Sequence, residues 1–303
     1  MQNNTCGKIN AKQKQNWFLF CILLFPTIQF IIFYLIVNAN SLFMSFKTGL
    51  GTSEETFVGF VNYTKVWNDI FVTKEVLPLI KNSLLQFLIG YLAGMPIHII
   101  VAYSIFKKIP FSGFFQIMLF LPTMITSMVF VVCGRMIINE VFPIFFGESA
   151  YGLLQEGTSE GFWTVLIFGC WHGFAGGLII YLGAMGSISK DVMEYCKLER
   201  ISTLKELWYI VIPLIFPTII TYTVVGLSTI FTNYGHYLSF YQERLPEIYQ
   251  TLGYYFIVKS KQNAASATLY PYLSAMGIMF SLIIAPITMI VKHLMEKYGP
   301  SEE

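Results

Sequence analysis

The chain has 303 residues, 55% of them hydrophobic and only 12% charged, with a net charge of +2 and a mean hydropathy of +0.62. Soluble domains carry about 25% charged residues, so a soluble globular fold is excluded, and without a basic patch the chain offers no footing for nucleic acid. The five cysteines (Cys6, Cys21, Cys133, Cys170 and Cys196) are scattered without a C-x-x-C, which leaves no zinc site and no disulfide framework.

Six stretches contain no Asp, Glu, Lys or Arg: Gln15–Phe46, Asn82–Phe106, Ile109–Gly134, Gly161–Ser189, Leu207–Gln242 and Gln262–Val291. Each exceeds the roughly 20 residues that cross a bilayer core. Backbone in lipid must satisfy its own hydrogen bonds, so the expected fold class is an all-α membrane protein with six transmembrane helices. Lys8, Lys12 and Lys14 precede the first run, but Trp17–Val37 is long and has no Ala-x-Ala-like cleavage site near its end. It reads as a retained helix rather than a signal peptide. With both termini inside, the inner segments hold Lys8, Lys12, Lys14, Lys107, Lys108, Lys190, Lys197, Arg200, Lys205, Lys292 and Lys297. That is the majority of the 19 Lys and Arg on shorter segments, so both termini are expected to be cytoplasmic. The organisation is then a tail over 1–14, one membrane domain over 15–295 and a tail over 296–303. The outer loops fall at about 39–79, 135–160 and 238–268, and Gly90-x-x-x-Gly94 fits a small-residue packing motif.

The predicted spans hold no deep acidic or basic residue. Ion-driven carriers usually need one for their relay, so a stand-alone secondary carrier is disfavoured. The polar groups in the runs are neutral or titrate near neutrality: His98 in helix 2, Trp171 and His172 in helix 4, and Asn233, Tyr234, His236 and Tyr237 at the outer end of helix 5. Such a palette suits a polar, uncharged ligand, with amide and hydroxyl groups to bond it and rings to cover its apolar faces. His98 by itself reads as a packed neutral histidine. G-x-x-x-x-G-K-[ST], HExxH and GxSxG are all missing, so the chain has no P-loop and no catalytic constellation of its own.

Between the fourth and fifth runs lies a loop of mixed charge, 189–207. It carries Glu194, Lys197, Glu199, Arg200, Lys205 and Glu206 among Met193, Tyr195, Leu198, Ile201 and Leu204. Leu198, Ile201 and Leu204 recur at i, i+3 and i+6, which predicts a short amphipathic helix in a stretch, 189–206, long enough for one or two. Such a helix lies in the headgroup layer or seats in a groove on a soluble partner; composition favours neither.

The run Glu194-Tyr-Cys-x-x-Glu199-Arg200-Ile201-x₅-Leu207-x-x-Ile210-x-Ile212-Pro213-x₃-Pro217 resembles the EAA loop of bacterial ABC-importer permeases, EAA-x-x-x-Gly-x₉-Ile-x-Leu-Pro. Glu194, Glu199, Ile210, Pro213 and Pro217 match; Tyr195, Cys196, Ile201 and above all Arg200, at the glycine position, depart. Phe57-Val-Gly-Phe-Val-Asn-Tyr63 is similar to the "VGxxNY" stretch of the sugar-type permeases, the maltose and glycerol-phosphate group. Asn82-Ser83, Leu119-Phe-Leu-Pro122, Trp171…Leu182-x-Ala184-x-x-x-Ile188 and Ala264-Ala265-Ser266-Ala267 match that family in order, from about residue 15 to 295.

The resemblance implies a type I ABC-importer permease fold in the bacterial plasma membrane, and a transporter subunit rather than an enzyme. Its implied partners are a second homologous permease, two cytoplasmic ATPase subunits and an extracellular solute-binding protein, besides membrane lipid; it implies no cofactor and no metal. The implied cargo is a di- or oligosaccharide, with a polyol, glycerol phosphate or other polar solute as the alternative. The ATPase-coupling residues would be Glu194, Leu198, Glu199, Arg200, Ile201 and Leu204. The substrate-pathway candidates are Trp171, His172, Asn233, Tyr234 and His236.

Overall fold

The structure, a computed structural model, describes residues 5–49, 51, 55–262 and 268–300. Ala264-Ala265-Ser266-Ala267 therefore lies outside the described residues. In chain order the main helices are α1 (apolar part Lys14–Ser45), α2 (Val61–Phe71), α3 (Leu77–Phe106), α4 (Ser112–Met124) and α5 (Ser127–Phe146). They continue with α6 (Ser159–Gly186), α7 (Lys190–Leu198), α8 (Thr203–Ser228), α9 (Tyr237–Tyr241), α10 (Leu252–Gln262) and α11 (Leu269–Tyr298). Six of them, α1, α3, α5, α6, α8 and α11, are long and apolar enough to cross a membrane. A two-residue antiparallel hairpin, β1 (Lys47–Thr48) with β2 (Thr56–Phe57), pairs Lys47 with Phe57 and Thr48 with Thr56.

Six spans were expected and six are present, but the third differs. The charge-free run Ile109–Gly134 is two helices, α4 and α5, parted at Ile125 and Thr126, whose ψ of 138° is extended. Pro122 and the β-branched Thr123, Ile125 and Thr126 weaken the helix at this point. The 13-residue α4 is too short to span alone. In turn, α5 runs on past Arg135 through residues expected to be outer loop. Arg135 ends a charge-free run but not a helix, because its guanidinium is satisfied by donating to the Phe240 carbonyl. The fifth span also ends early, at Ser228.

Four spans loosen into π-helical turns, Ile31–Ile36, Leu88–Ala93, Ile137–Val141 and Leu207–Val211, and the last three stand just before Pro96, Pro143 and Pro213. A proline ring crowds the carbonyl four residues back and gives no N–H. The wider turn relieves that crowding without breaking the helix.

The chain divides into two compact units. In the first, residues 1–67 with 265–279, every residue from Lys14 to Asn40 is exposed. A helix apolar on all faces needs lipid or another subunit around it. The hairpin beside it explains the VGxxNY stretch. Gly59 takes φ +60°, Asn62 is buried and donates to the carbonyls of Ser45 (2.8 Å) and Lys47 (2.9 Å), and the Tyr63 and Ser45 hydroxyls bond at 2.7 Å.

The second unit holds the core. One cluster gathers Phe130, Phe162, Phe168, Tyr237, Phe240 and Tyr254 around α6; the other gathers Ile99, Ala102, Leu178, Tyr181, Met185 and Ile215. Close helix approach does not use Gly90-x-x-x-Gly94, where an added Cβ would meet nothing nearer than 3.4 Å. It uses Gly134, over the Phe168 ring, and Gly177, where a Cβ would stand 2.7 Å from His98 Nδ1. The Asn82-Ser83 pair, in the second turn of α3, ties down the segment before α10. Asn82 Nδ2 donates to the carbonyls of Ile248 and Gln250, both at 2.9 Å, and Ser83 Oγ accepts from Leu252 N–H at 2.8 Å.

Candidate functional site

Two places in the second unit concentrate polar chemistry. The first is the α7–α8 connection. Ser189 caps α7, its Oγ accepting from Val192 N–H at 3.4 Å. Asp191 in the first turn and Lys197 in the last complement the helix dipole. The helix ends at Leu198. Arg200 N–H bonds Lys197 O at 3.2 Å and Ile201 N–H bonds Cys196 O at 3.1 Å, while Arg200 takes φ +51°. That pair of bonds with a left-handed residue between is the Schellman helix stop. Arg200 thus does the backbone work of the glycine in the motif that the loop resembles, at a cost of roughly 1 kcal/mol for its Cβ. Lys108 ends α3 in the same way, at φ +53°, and is likewise exposed.

Two short helical pieces fill 189–206, and the expected single stripe of Leu198, Ile201 and Leu204 is overturned, because the left-handed turn at Arg200 separates Leu198 from Leu204. Leu198 is 81% and Leu204 71% exposed, while Ile201 is half-buried. Tyr195, Glu194, Glu199 and Arg200 are exposed, and none of the charged three enters an ion pair among the described residues.

One residue here was passed over in the sequence. Glu206 is 2% exposed, and both its oxygens accept from Lys107 Nζ at 2.9 Å. The Tyr103 hydroxyl donates to Thr203 O at 3.1 Å, and Cys196 is buried. The α7–α8 turn is therefore bolted to the end of α3. A lone Glu in a charged loop reads as solvated; only the fold brings Lys107 to it.

The second place is a cavity of about 340 Å³ among α3, α6 and α8 and the turn after α8. Each helix contributes one face: Ser83, Gln86, Phe87, Gly90 and Tyr91 from α3 and Tyr222, Val225, Gly226, Thr229 and Ile230 from α8 and its end, both at i, i+3, i+4, i+7 and i+8, and Val165, Leu166, Gly169, Cys170 and Gly173 from α6, at i, i+1, i+4, i+5 and i+8. His98, Asn233, Gly235, His236 and Tyr237 complete it. No Asp, Glu, Lys or Arg lines it. The Tyr91 hydroxyl donates to Thr223 Oγ1 at 2.9 Å. Gln86 Oε1 and both ring nitrogens of His98 are buried without a hydrogen-bond partner. Unpartnered buried polar atoms are costly, so these three favour a ligand or water that bonds them.

Of the sequence candidates, Asn233 and His236 line the cavity; Trp171, His172 and Tyr234 do not. Trp171 is exposed and packs on Phe130, and His172 stands edge-on to the His236 ring at 4.8 Å between centroids. Asn233, Tyr234 and His236 lie beyond the end of α8, in a turn where Asn233 Oδ1 accepts from Gly235 N–H at 2.9 Å. His236 lies within 3.5 Å of Ser127 Oγ through Nδ1. Burial, aided by neighbouring His172, pushes its pKa down to about 4, so it is neutral at physiological pH. Gln86, Tyr91, Tyr222 and Thr229 were missed. Their signal was available: small and polar residues repeat at helical spacing on one face of an otherwise apolar span.

Known proteins share this architecture. The chain is 24% identical over 293 residues to the probable starch degradation products transport system permease protein AmyD of Thermoanaerobacterium thermosulfurigenes, covering 95% of this chain and 97% of AmyD. It is 22% identical to the multiple sugar-binding transport system permease protein MsmF of Streptococcus mutans, covering 91% and 94% of the two chains. The crystal structure of a bacterial ABC transporter involved in the import of the acidic polysaccharide alginate matches with a TM-score of 0.74 at 22% identity, over 96% of this chain and 99% of that one. Residues 86–300, which hold the α7–α8 connection and the whole cavity lining except Ser83, match the binding-protein-dependent transport system inner membrane component, and the chain belongs to that family of multi-pass membrane transport subunits.

Proposed function

We propose that the chain is the permease subunit of an ATP-driven importer of carbohydrate, with both termini cytoplasmic, the α7–α8 connection docked on a partner ATPase, and the α3–α6–α8 cavity on the solute path. The observation that carries this reading is the α7–α8 connection itself. Leu198 and Leu204 are held out to solvent by a turn that a buried ion pair fixes to α3. An apolar tip on a rigid mount is suited to a groove on a soluble partner, and motion of that partner would reach α3 and α8 directly. Glu194 and Glu199 supply polar anchors at its edge. With no P-loop in the chain, ATP hydrolysis belongs to the partner. A second permease copy or homologue would cover the exposed faces of α1, and a solute-binding protein would deliver the cargo. One solved relative of this fold is a complex with an alginate pentasaccharide-bound periplasmic protein.

The cavity supports the cargo class. Hydroxyl, amide and neutral imidazole groups with aromatic walls, and no fixed charge, suit a neutral glycosyl unit. The relatives AmyD and MsmF carry starch-product and multiple-sugar names, which agrees with that class.

The test is expression of the chain with its neighbouring transport genes, followed by purification and vesicle uptake of labelled maltotriose and trigalacturonate. ATPase subunits should be recovered with the wild-type chain and lost with Leu198→Asp. Maltotriose should enter in an ATP-dependent way. Gln86→Leu should reduce its uptake about ten-fold without loss of thermal stability, since an apolar side chain removes an unpartnered oxygen. Uptake by the purified chain under an ion gradient without ATP would overturn the reading.

A further inference from the structure

Arg200 occupies a backbone position that glycine fills at no steric cost. The two Schellman bonds, from Arg200 N–H and Ile201 N–H, are main-chain bonds that glycine would make equally well. The apolar contact that accompanies such a stop falls to Ile201 and buried Cys196, which also owe nothing to the side chain at 200. What arginine adds is a guanidinium, and among the described residues no carboxylate lies within ion-pair distance of it. Its neighbours are not short of acids: Glu194 and Glu199 sit on the same element, both exposed. The other nearby carboxylate, Glu206, is committed to Lys107. Arg200 is exposed, in a turn whose flanking Leu198 and Leu204 are exposed as well.

From this we propose that Arg200 is a specificity-determining residue of the docking face: its guanidinium pairs with a carboxylate on the ATPase partner. The inference rests on the docking reading above and adds a charge to what is otherwise an apolar plug. The guanidinium is planar and forked, and it fits a carboxylate through two parallel hydrogen bonds, which a lysine ammonium cannot reproduce. An apolar tip would enter any groove of the right shape; a guanidinium carried on a fixed turn selects the groove that has an acid beside it. The left-handed backbone matters here because it fixes the direction in which the Arg200 Cα–Cβ bond leaves the turn.

The experiment uses the purified complex in nanodiscs, with the ATPase subunits recovered from the wild-type preparation as the probe. Their affinity for the permease is measured between low and high salt, for wild type and for Arg200→Gly, Arg200→Lys, Arg200→Glu and Leu198→Asp. Thermal melting of each permease alone runs in parallel. Arg200→Gly keeps the turn, so its melting temperature should stay level or rise. Its affinity for the ATPase should fall about ten-fold at low salt, and the salt dependence should flatten. Arg200→Lys should fall between the two, and Arg200→Glu below both. Leu198→Asp separates the two readings. If it abolishes association while Arg200→Gly binds as wild type with the same salt slope, the Arg200 inference is wrong and the docking reading stands. If Leu198→Asp also binds as wild type, or no ATPase is recovered at all, both are wrong. A parallel drop in melting temperature and affinity for Arg200→Gly would assign the arginine to the turn itself and overturn the inference.

Discussion

The α7–α8 connection and the α3–α6–α8 cavity treat polar groups in opposite ways. At the connection, charges are abundant, and the one that is buried, Glu206, is paired at both oxygens. In the cavity no charge is present, yet Gln86 Oε1 and both His98 nitrogens are buried without partners. On the reading proposed above, a mount that transmits force from another subunit would depend on that pair for its rigidity, and a chamber that holds a ligand only in passing would keep its hydrogen-bonding capacity uncommitted.

The largest expected effect breaks the first half of this contrast. Glu206→Ala leaves the Lys107 ammonium, whose side chain is 23% exposed, without its counter-charge. Loss of one partner from a buried pair costs about 3 kcal/mol. Thermal melting of the purified chain should show this destabilisation, and the double variant Lys107→Met with Glu206→Leu should regain most of it. If Glu206→Ala melts as wild type, the pair does not fix the turn, and the rigid-mount argument fails.

A smaller effect is expected where the cavity is shaped by packing. A Cβ on Gly177 would come within 2.7 Å of His98 Nδ1 and 2.8 Å of Cε1. Overpacking of this kind costs about 1–3 kcal/mol, offset in part by the better helix propensity of alanine. Gly177→Ala should therefore lower the melting temperature and push His98 toward the cavity. His98→Ala in the same background should restore the temperature, since the ring is then absent. No recovery in the double variant would show that His98 is not what Gly177 makes room for.

How far these features were legible in the sequence follows from the range of the forces behind them. Helix number was legible because hydrophobic length is a local property. The break in the third span was not read, since a charge-free run is blind to Pro122 and the β-branched residues after it. The ends of α5 and α8 were misplaced for a related reason. Charge marks where lipid ends, whereas the backbone ends where its hydrogen bonds do, and Arg135 sits in mid-helix with the Phe240 carbonyl as its partner. In the sequence, Arg200 stands as a departure at the motif's glycine position. Backbone geometry makes it a glycine substitute, which no side-chain pattern announces. In the cavity, Asn233 and His236 were found as polar residues near a span end. Gln86 and Thr229 were passed over because each helical stripe gains meaning only when three of them face one space.

The smallest effect concerns His236, where the contrast between the two regions meets pH. Burial and the adjacent His172 ring hold its pKa at about 4, below the roughly 6.5 of a free histidine. Between those values the unfolded chain binds a proton that the folded chain refuses, so stability rises with pH across that window. The neutral ring's contribution is complete above about pH 6.5 and is lost as pH falls toward 4. Melting temperature measured from pH 7 to pH 4 should therefore fall more steeply in wild type than in His236→Asn, which cannot titrate. Solute uptake should be insensitive to pH between 6 and 8 as far as this residue is concerned, because it stays neutral throughout. Parallel melting curves for the two proteins would mean that His236 is solvated well enough to carry a proton. The cavity would then admit charge at this wall, and the preference for a neutral glycosyl unit would lose its electrostatic ground.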